Sequence, residues 1–204
     1  MQDLTNIKPG DIISLGKWPY DENGHPALIE WIVLEVKDGM FLLISRYCLD
    51  SLPFDSITEK GKWEDSKIRA WLNEDFYNNA FDEKEKAAII GTEVENYTIF
   101  FSFHLPTKKT IDHVFMLDAD EAEKYFKKEA DRITKPTPYA FKQLEKFDNV
   151  RPETKDACMW WLRNLGGSVE YSAYVSPKGF VRRSGTKSSN QFGMIRPAII
   201  LKTK

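Results

Sequence analysis

The sequence predicts an α+β fold: a mixed, mostly antiparallel, twisted sheet with three to four helices. Three observations carry that prediction. β-branched and aromatic runs crowd the beginning and end of the chain and helical spacing is confined to the middle, so strands and helices do not alternate as βα units. Asp38-Gly39 joins two apolar runs with the chemistry of a tight hairpin, whose central residues need positive φ. Ser66, Asp82, Asp118 and Thr137 each precede a helical pattern and carry a side-chain oxygen able to accept from first-turn N–H groups.

In chain order, a Pro9-Gly10 turn opens a short strand over residues 11–16. The polar loop 21–26 leads to a strand over 28–36, and a second runs from 40 to 47. In the first of these, Ile32, Leu34 and Val36 share one face and Trp31 and Val33 the other. Both faces are apolar, which predicts a hairpin inside the sheet and covered on both sides. Asp65 or Ser66 caps a helix to about residue 79, with Ile68, Trp71, Leu72 and Phe76 at helical spacing. Asp82 and Glu85 form a capping box for a second helix, with Gly91 as its left-handed stop. A strand over 113–117 precedes a third helix, capped by Asp118 and Glu121 and running to about residue 130.

Lys135-Pro136-Thr137-Pro138 is a stiff link, and Thr137 caps a short helix over 138–146. The apolar residues beyond it argue against a domain boundary. Strands return at 160–163 and at 173–175 and 180–182, the last two around a Ser176-Pro177-Lys178-Gly179 type I turn with a glycine bulge. In the closing strand, 194–201, Pro197 lacks an N–H and belongs at a strand start or sheet edge. The reading is one domain over 1–204, long enough to bury roughly 70% of its unfolded surface.

Composition narrows the function classes. Hydrophobic residues at 42% and charged ones at 29% are the balance of a folded chain. Aromatic residues reach 13%, which supplies large rigid surfaces for a dense core or a recognition face, with core the expected use for most. A net charge of −2 lacks the basic excess that neutralises phosphates, so nucleic acid is not an expected partner. No basic-then-apolar leader and no run of about 18 apolar residues is present, so no membrane partner is expected. The compartment reads as cytoplasmic as the sequence stands, and extracellular if a signal was removed.

A search for chemistry returns little. His25, His104 and His113 are isolated, with no zinc-type spacing, no phosphate-cradling glycine loop and no G-x-S-x-G elbow. Cys48 and Cys158 lie far apart and read as small buried hydrophobes; spacing does not decide whether they pair. The apolar Met159-Trp160-Trp161 after Cys158 would blunt its thiol. Asp82, Glu83 and Glu85, like Asp118, Asp120 and Glu121, have a sufficient account as helix starts facing the positive end of the dipole. No catalytic residue, metal or cofactor is therefore expected.

The remaining candidates are Trp160, Arg163, Tyr171, Tyr174, Arg182 and Arg183, from strands and loops near the end of the chain. Trp, Tyr and Arg dominate binding hot spots because each joins broad contact area to a polar handle. Two readings stand: a late-loop ligand surface, or an interior set with Trp161, Tyr174 and a carboxylate-paired Arg163. Alternation sends Trp160 and Trp161 to opposite faces, so burial is expected for one of them.

At these residues the chain resembles the bacterial, Firmicutes-type domain of unknown function 6273 family. The resemblance rests on residues 29–39, on Trp160-Trp161-Leu162-Arg163, on Tyr174-Val175 with Gly179-Phe180-Val181, and on Ile195-Arg196-Pro197-Ala198-Ile199. The S-x-I-R-x-W-L-N-x-x-F pattern matches at Ser66, Ile68, Arg69, Trp71, Leu72, Asn73 and Phe76. More distantly, the C-terminal half is similar to the C-type-lectin-like fold shared with formylglycine-generating enzymes, which implies chain ends that lie close and binding loops late in the sequence. The chain departs from those enzymes in lacking their C-terminal cysteine pair, from calcium lectins in lacking E-P-N or Q-P-D, and from the family it resembles in having Asn164-Leu165 where Ser-Pro is usual. The expected function is a non-catalytic binding module for a glycan, peptide or protein surface. The alternatives are a hydrolase with His104 or His113 beside an Asp, Glu or Cys, and a scaffold or regulatory domain binding a cognate protein. Sequence does not fix the ligand or the oligomeric state.

Overall fold

The computed structural model describes residues 6–55, 62–100, 103–106, 108–146 and 152–202. The chain opens with β1 (Ile12–Pro19), β2 (Pro26–Lys37), β3 (Met40–Ser45) and β4 (Asp50–Ser51). A helix over residues 67–80, α1, and the one-turn α2 (Glu83–Lys86) follow. Next come β5 (Thr92–Val94), β6 (Tyr97–Phe100), β7 (Phe103–Pro106), β8 (Thr110–Asp112) and β9 (Val114–Phe115). Helices α3 (Ala119–Tyr125), α4 (Glu129–Arg132) and α5 (Pro138–Leu144) lead to β10 (Trp160–Leu165), β11 (Tyr171–Val175), β12 (Val181–Lys187), β13 (Met194–Ile195) and β14 (Ala198–Lys202).

The class is α+β, with the strands in two five-stranded sheets rather than one. The first is ordered β1-β2-β3-β14-β9 and the second β12-β11-β10-β13-β4, beside two ribbons, β5-β8 and β6-β7. Among the named strands, pairing is antiparallel except between β10 and β13. Pro197 explains the division. The closing segment, expected as one strand, breaks there: Met194 and Ile195 pair with β10 and β4, whereas Ala198–Lys202 pairs with β3 and β9. A residue with no N–H cannot continue a ladder, so the chain changes sheets at that point.

Local chemistry sets the other boundaries. Asp38 (φ 52°) and Gly39 (φ 73°) both adopt positive φ between the paired Lys37 and Met40, as a two-residue hairpin requires. Ser66 Oγ accepts from Arg69 N, and both expected capping boxes form, at Asp82/Glu85 and at Asp118/Glu121. Asn73 pins α1 to β9: its Oδ1 accepts from His113 N at 2.8 Å and its Nδ2 donates to Val114 O at 2.9 Å.

Three expectations need correction. The second helix stops at Lys86, and Gly91 is not left-handed, because Ile89 and Ile90 are drawn onto β14 through the Ile89–Leu201 bridge and an Ile90 N to Ile200 O bond. The third helix ends at Tyr125 instead of about residue 130. Phe126 turns extended and seats its ring 5.1 Å from the Arg196 guanidinium. Finally, β2 is an inner strand of its sheet, next to the edge strand β1, but covered fully on one face only: Trp31 and Val33 are buried, while Ile32 and Leu34 are half-buried and Val36 is exposed. The covering of the second face is complete further into the sheet, at Ile44, Ala198 and Phe115.

One contiguous cluster of buried side chains includes Trp31, Phe76, Trp160 and Ile199. Four tryptophans are wholly enclosed, and each indole N–H has an acceptor: Trp31 donates to Leu15 O, Trp63 to Asp112, Trp160 to Arg132 O and Trp161 to Leu52 O, at 2.8–3.1 Å. That pairing makes so much buried indole tolerable. The proline-rich link is stitched to its surroundings, with Cys48 N donating to Lys135 O and Thr137 N to Cys48 O. Thr137 Oγ1 then accepts from Ala140 N at 3.1 Å to start α5. Thr137→Ala will lower unfolding free energy by about 1 kcal/mol in urea denaturation, the usual worth of a lost N-cap.

Candidate functional site

A cleft of about 520 Å³ opens between one face of the first sheet and α3. Strand alternation builds its floor. Leu42 lies opposite Ile200, so both point to the face that Phe115 shares, and Val94 of β5 adds a further apolar wall. Glu35 and Lys37 of β2 and Glu93 and Glu95 from β5 and the turn after it rim the opening, and Asp118, Glu121, Lys124 and Tyr125 descend from α3 and its cap. Arg163 of β10 closes the inner end, 4% exposed.

The polar groups are locked to one another. Arg163 Nη2 donates to Asp118 Oδ2 at 2.7 Å and to Glu95 O at 3.2 Å, and Nη1 donates to Glu121 and to Met116 O. Asp118 Oδ1 meanwhile accepts from Glu121 N, so one carboxylate caps α3 and anchors the arginine. Burial pushes the Asp118 carboxyl above its ordinary value, opposed by the guanidinium beside it and reinforced by Glu121. Burial works against the charge of Arg163, but its two carboxylates more than offset that and raise it further. At the opposite rim Tyr125 donates to Glu35, and Lys124 Nζ lies 3.3 Å from the same carboxylate. Those contacts hold Glu35 below the usual carboxylate range, the tyrosine bond contributing most. Tyr97 donates to Asp120, and burial followed by that bond raises its phenol. Lys109 spans Glu93 and Glu95 at 2.8 and 2.9 Å.

The six sequence candidates do not converge. Arg163 is in the cleft, paired to carboxylates as one of the two readings held. Trp160 is wholly buried, facing Arg132 and Arg196, and Trp161 is wholly buried too, against Phe54. They do take opposite faces, but β10 is the middle strand of the second sheet and both of its faces are covered. Arg183 reaches from β12 to α3, with Nη2 2.7 Å from both Asp120 and Glu123. Tyr174 and Arg182 pair across strands on the other face of that hairpin, where Arg182 is exposed and lies over the Phe180 ring. Tyr171 is half-buried opposite Lys187.

Neither His25 nor His113, the histidines with described side chains, lines the cleft. His113 stacks on Tyr77 at 4.6 Å, His25 pairs with Asp21 on an exposed loop, and the side chain of His104 lies outside the described residues. Cys48 and Cys158 are free thiols, Sγ to Sγ 3.4 Å, buried away from the cleft. No cluster of three His, Cys, Asp or Glu suited to a metal ion occurs among the described residues, and no helix there is long and apolar enough to cross a membrane.

Several residues of the sequence pattern now have structural roles. Arg69 Nε donates to Asp112 Oδ1 at 2.6 Å, completing a buried carboxylate that also accepts from Trp63 and Thr110. Asn164 accepts from Ala119 N at 2.7 Å and holds the start of α3. No curated protein and no solved structure matches the chain. Residues 38–203 match the family described as Domain of unknown function (DUF6273), a span that includes all the cleft residues except Glu35 and Lys37. With that match covering most of its length, the chain belongs to the DUF6273 family.

Proposed function

We propose that the chain is a binding module whose cleft takes a glycan. The observation that carries this reading is a network of ion pairs above an apolar floor, Lys124 with Glu35, Arg163 with Asp118 and Glu121, and Lys109 with Glu93 and Glu95. An unpaired acidic or basic cleft would select a counter-charge. Here the pairing leaves directional lone pairs and N–H groups, fixed in place, beside Leu42, Val94 and Ile200. A sugar offers the complement, hydroxyls that both donate and accept on a ring with an apolar face. Arg183 supports the cleft indirectly by bracing α3, and the exposed Tyr174–Arg182 face remains a separate surface for a peptide or protein.

A hydrolase is the second reading, because the cleft holds one carboxyl raised by burial, Asp118, and one lowered by its donors, Glu35. Both Asp118 oxygens are engaged by N–H donors, at 2.8 and 2.7 Å, an arrangement suited to a fixed carboxylate rather than to proton delivery. A glycan and peptide array, run with and without calcium, tests the proposal using wild type and Glu35→Gln/Tyr125→Phe. The double variant will keep its melting temperature and lose about tenfold or more of its glycan affinity through the two hydrogen-bonding groups. Capture of peptides alone, glycan capture unaltered by the double change, or release of reducing sugar would each reject it.

A further inference from the structure

A second cavity, about 310 Å³, lies against the point where the chain crosses between sheets. Its inner wall includes Arg196, which is 2% exposed. The guanidinium carbon of Arg196 lies 5.0 Å from the Trp160 ring and 5.1 Å from that of Phe126, and Nε donates to Ser45 O at 3.0 Å. Nη1 has no acceptor among the described residues. Arg163 is buried with two carboxylates, whereas Arg196 has no Asp or Glu among its neighbouring charges. Burial lowers its pKa to about 10, so it remains a cation at neutral pH. Cys158 beside it does not serve as counter-ion, since burial pushes that thiol well up and keeps it protonated. A buried cation with a vacant donor and no anion is costly unless something supplies one.

The cavity beside it gathers two more cations. Arg46 and Lys135 both lie over the Tyr47 ring, at 5.2 and 5.5 Å, and all three residues line the space. We propose that this cavity is a binding site for a small monocarboxylate with an apolar or aromatic body, its carboxylate held by Arg196 with Arg46 and Lys135. The class follows from the wall. Arg46 is already paired with Glu30 at 3.0 Å, which leaves Lys135 and Arg196 against Asp131 and Asp156 with no net charge, a balance that suits a monoanion on the unpaired Arg196 and disfavours a phosphate dianion. Ile32, Ile133 and the Tyr47 ring supply the apolar sides. The site shares no residue with the glycan cleft, so the two readings stand or fall separately.

Calorimetric titration of the full chain with sodium benzoate, acetate and phosphate at matched ionic strength tests it. Benzoate will bind saturably and more tightly than acetate, and phosphate will bind weakest. Arg196→Met endangers the fold itself, so the deciding variant is Arg46→Gln/Lys135→Gln, whose melting temperature confirms that it folds. Its affinity for benzoate will fall about tenfold or more, while glycan capture stays at the wild-type level. Absence of heat with both carboxylates, binding of phosphate alone, or unchanged benzoate affinity in the double variant would overturn the assignment.

Discussion

Arg163→Met will cost the fold about 3–5 kcal/mol in urea denaturation, because it leaves Asp118 and Glu121 without their shared cation in a buried setting. The same change strips donors from Glu95 O and Met116 O. The loss is a property of the broken network rather than of the arginine alone. Neutralising all three partners together, as Arg163→Met/Asp118→Asn/Glu121→Gln, will recover much of it, since no uncompensated charge then remains. Additive losses in the triple variant would show that packing, not charge pairing, holds this end of the cleft.

Asp50 will make the protein less stable as the solution turns from acid to neutral. Asp50 is 7% exposed in β4, and burial pushes its carboxyl from 3.8 up to about 6. Between those values the folded chain keeps a proton that the unfolded chain releases. Stability therefore falls as pH rises through that window and stays low above it, by about 3 kcal/mol at most. Asp50→Asn keeps an oxygen for Ser51 N, now accepted by Oδ1 at 2.8 Å, and removes the ionisation. The variant will lose that decline and exceed wild type in stability at pH 8. Parallel stability profiles from pH 4 to pH 8 would place the titrating group elsewhere.

What sequence disclosed was local. The Asp38-Gly39 turn, the Ser176–Gly179 turn and the caps at Ser66, Asp82, Asp118 and Thr137 depend on residues within four positions of one another, and all formed. At Gly179 the requirement is visible in space as well: φ is 80°, and a Cβ would stand 1.9 Å from Glu129 O. The cleft was hidden because its parts are distant in sequence. Asp118 and Glu121 looked complete as a capping box, and nothing nearby announced that their remaining oxygens would take Arg163. Arg163 itself was legible as a candidate, as a residue type common in binding hot spots, with pairing to a carboxylate as the interior alternative. Trp160 misled for a related reason: alternation gives the face of a residue but not whether that face is covered. Asp112, the acceptor for Trp63, Arg69 and Thr110, had no sequence signal at all.

The division of labour at Pro197 sets the order in which the chain can mature. β14 completes the first sheet between β3 and β9, yet it is translated about 150 residues after β3. Until then the β2–β3 hairpin has left the ribosome with an open edge of unpaired amides, a template for stray chains. Biogenesis is thus a wait with an exposed flank, and pairing with a stray chain before β14 emerges is the hazard this topology carries.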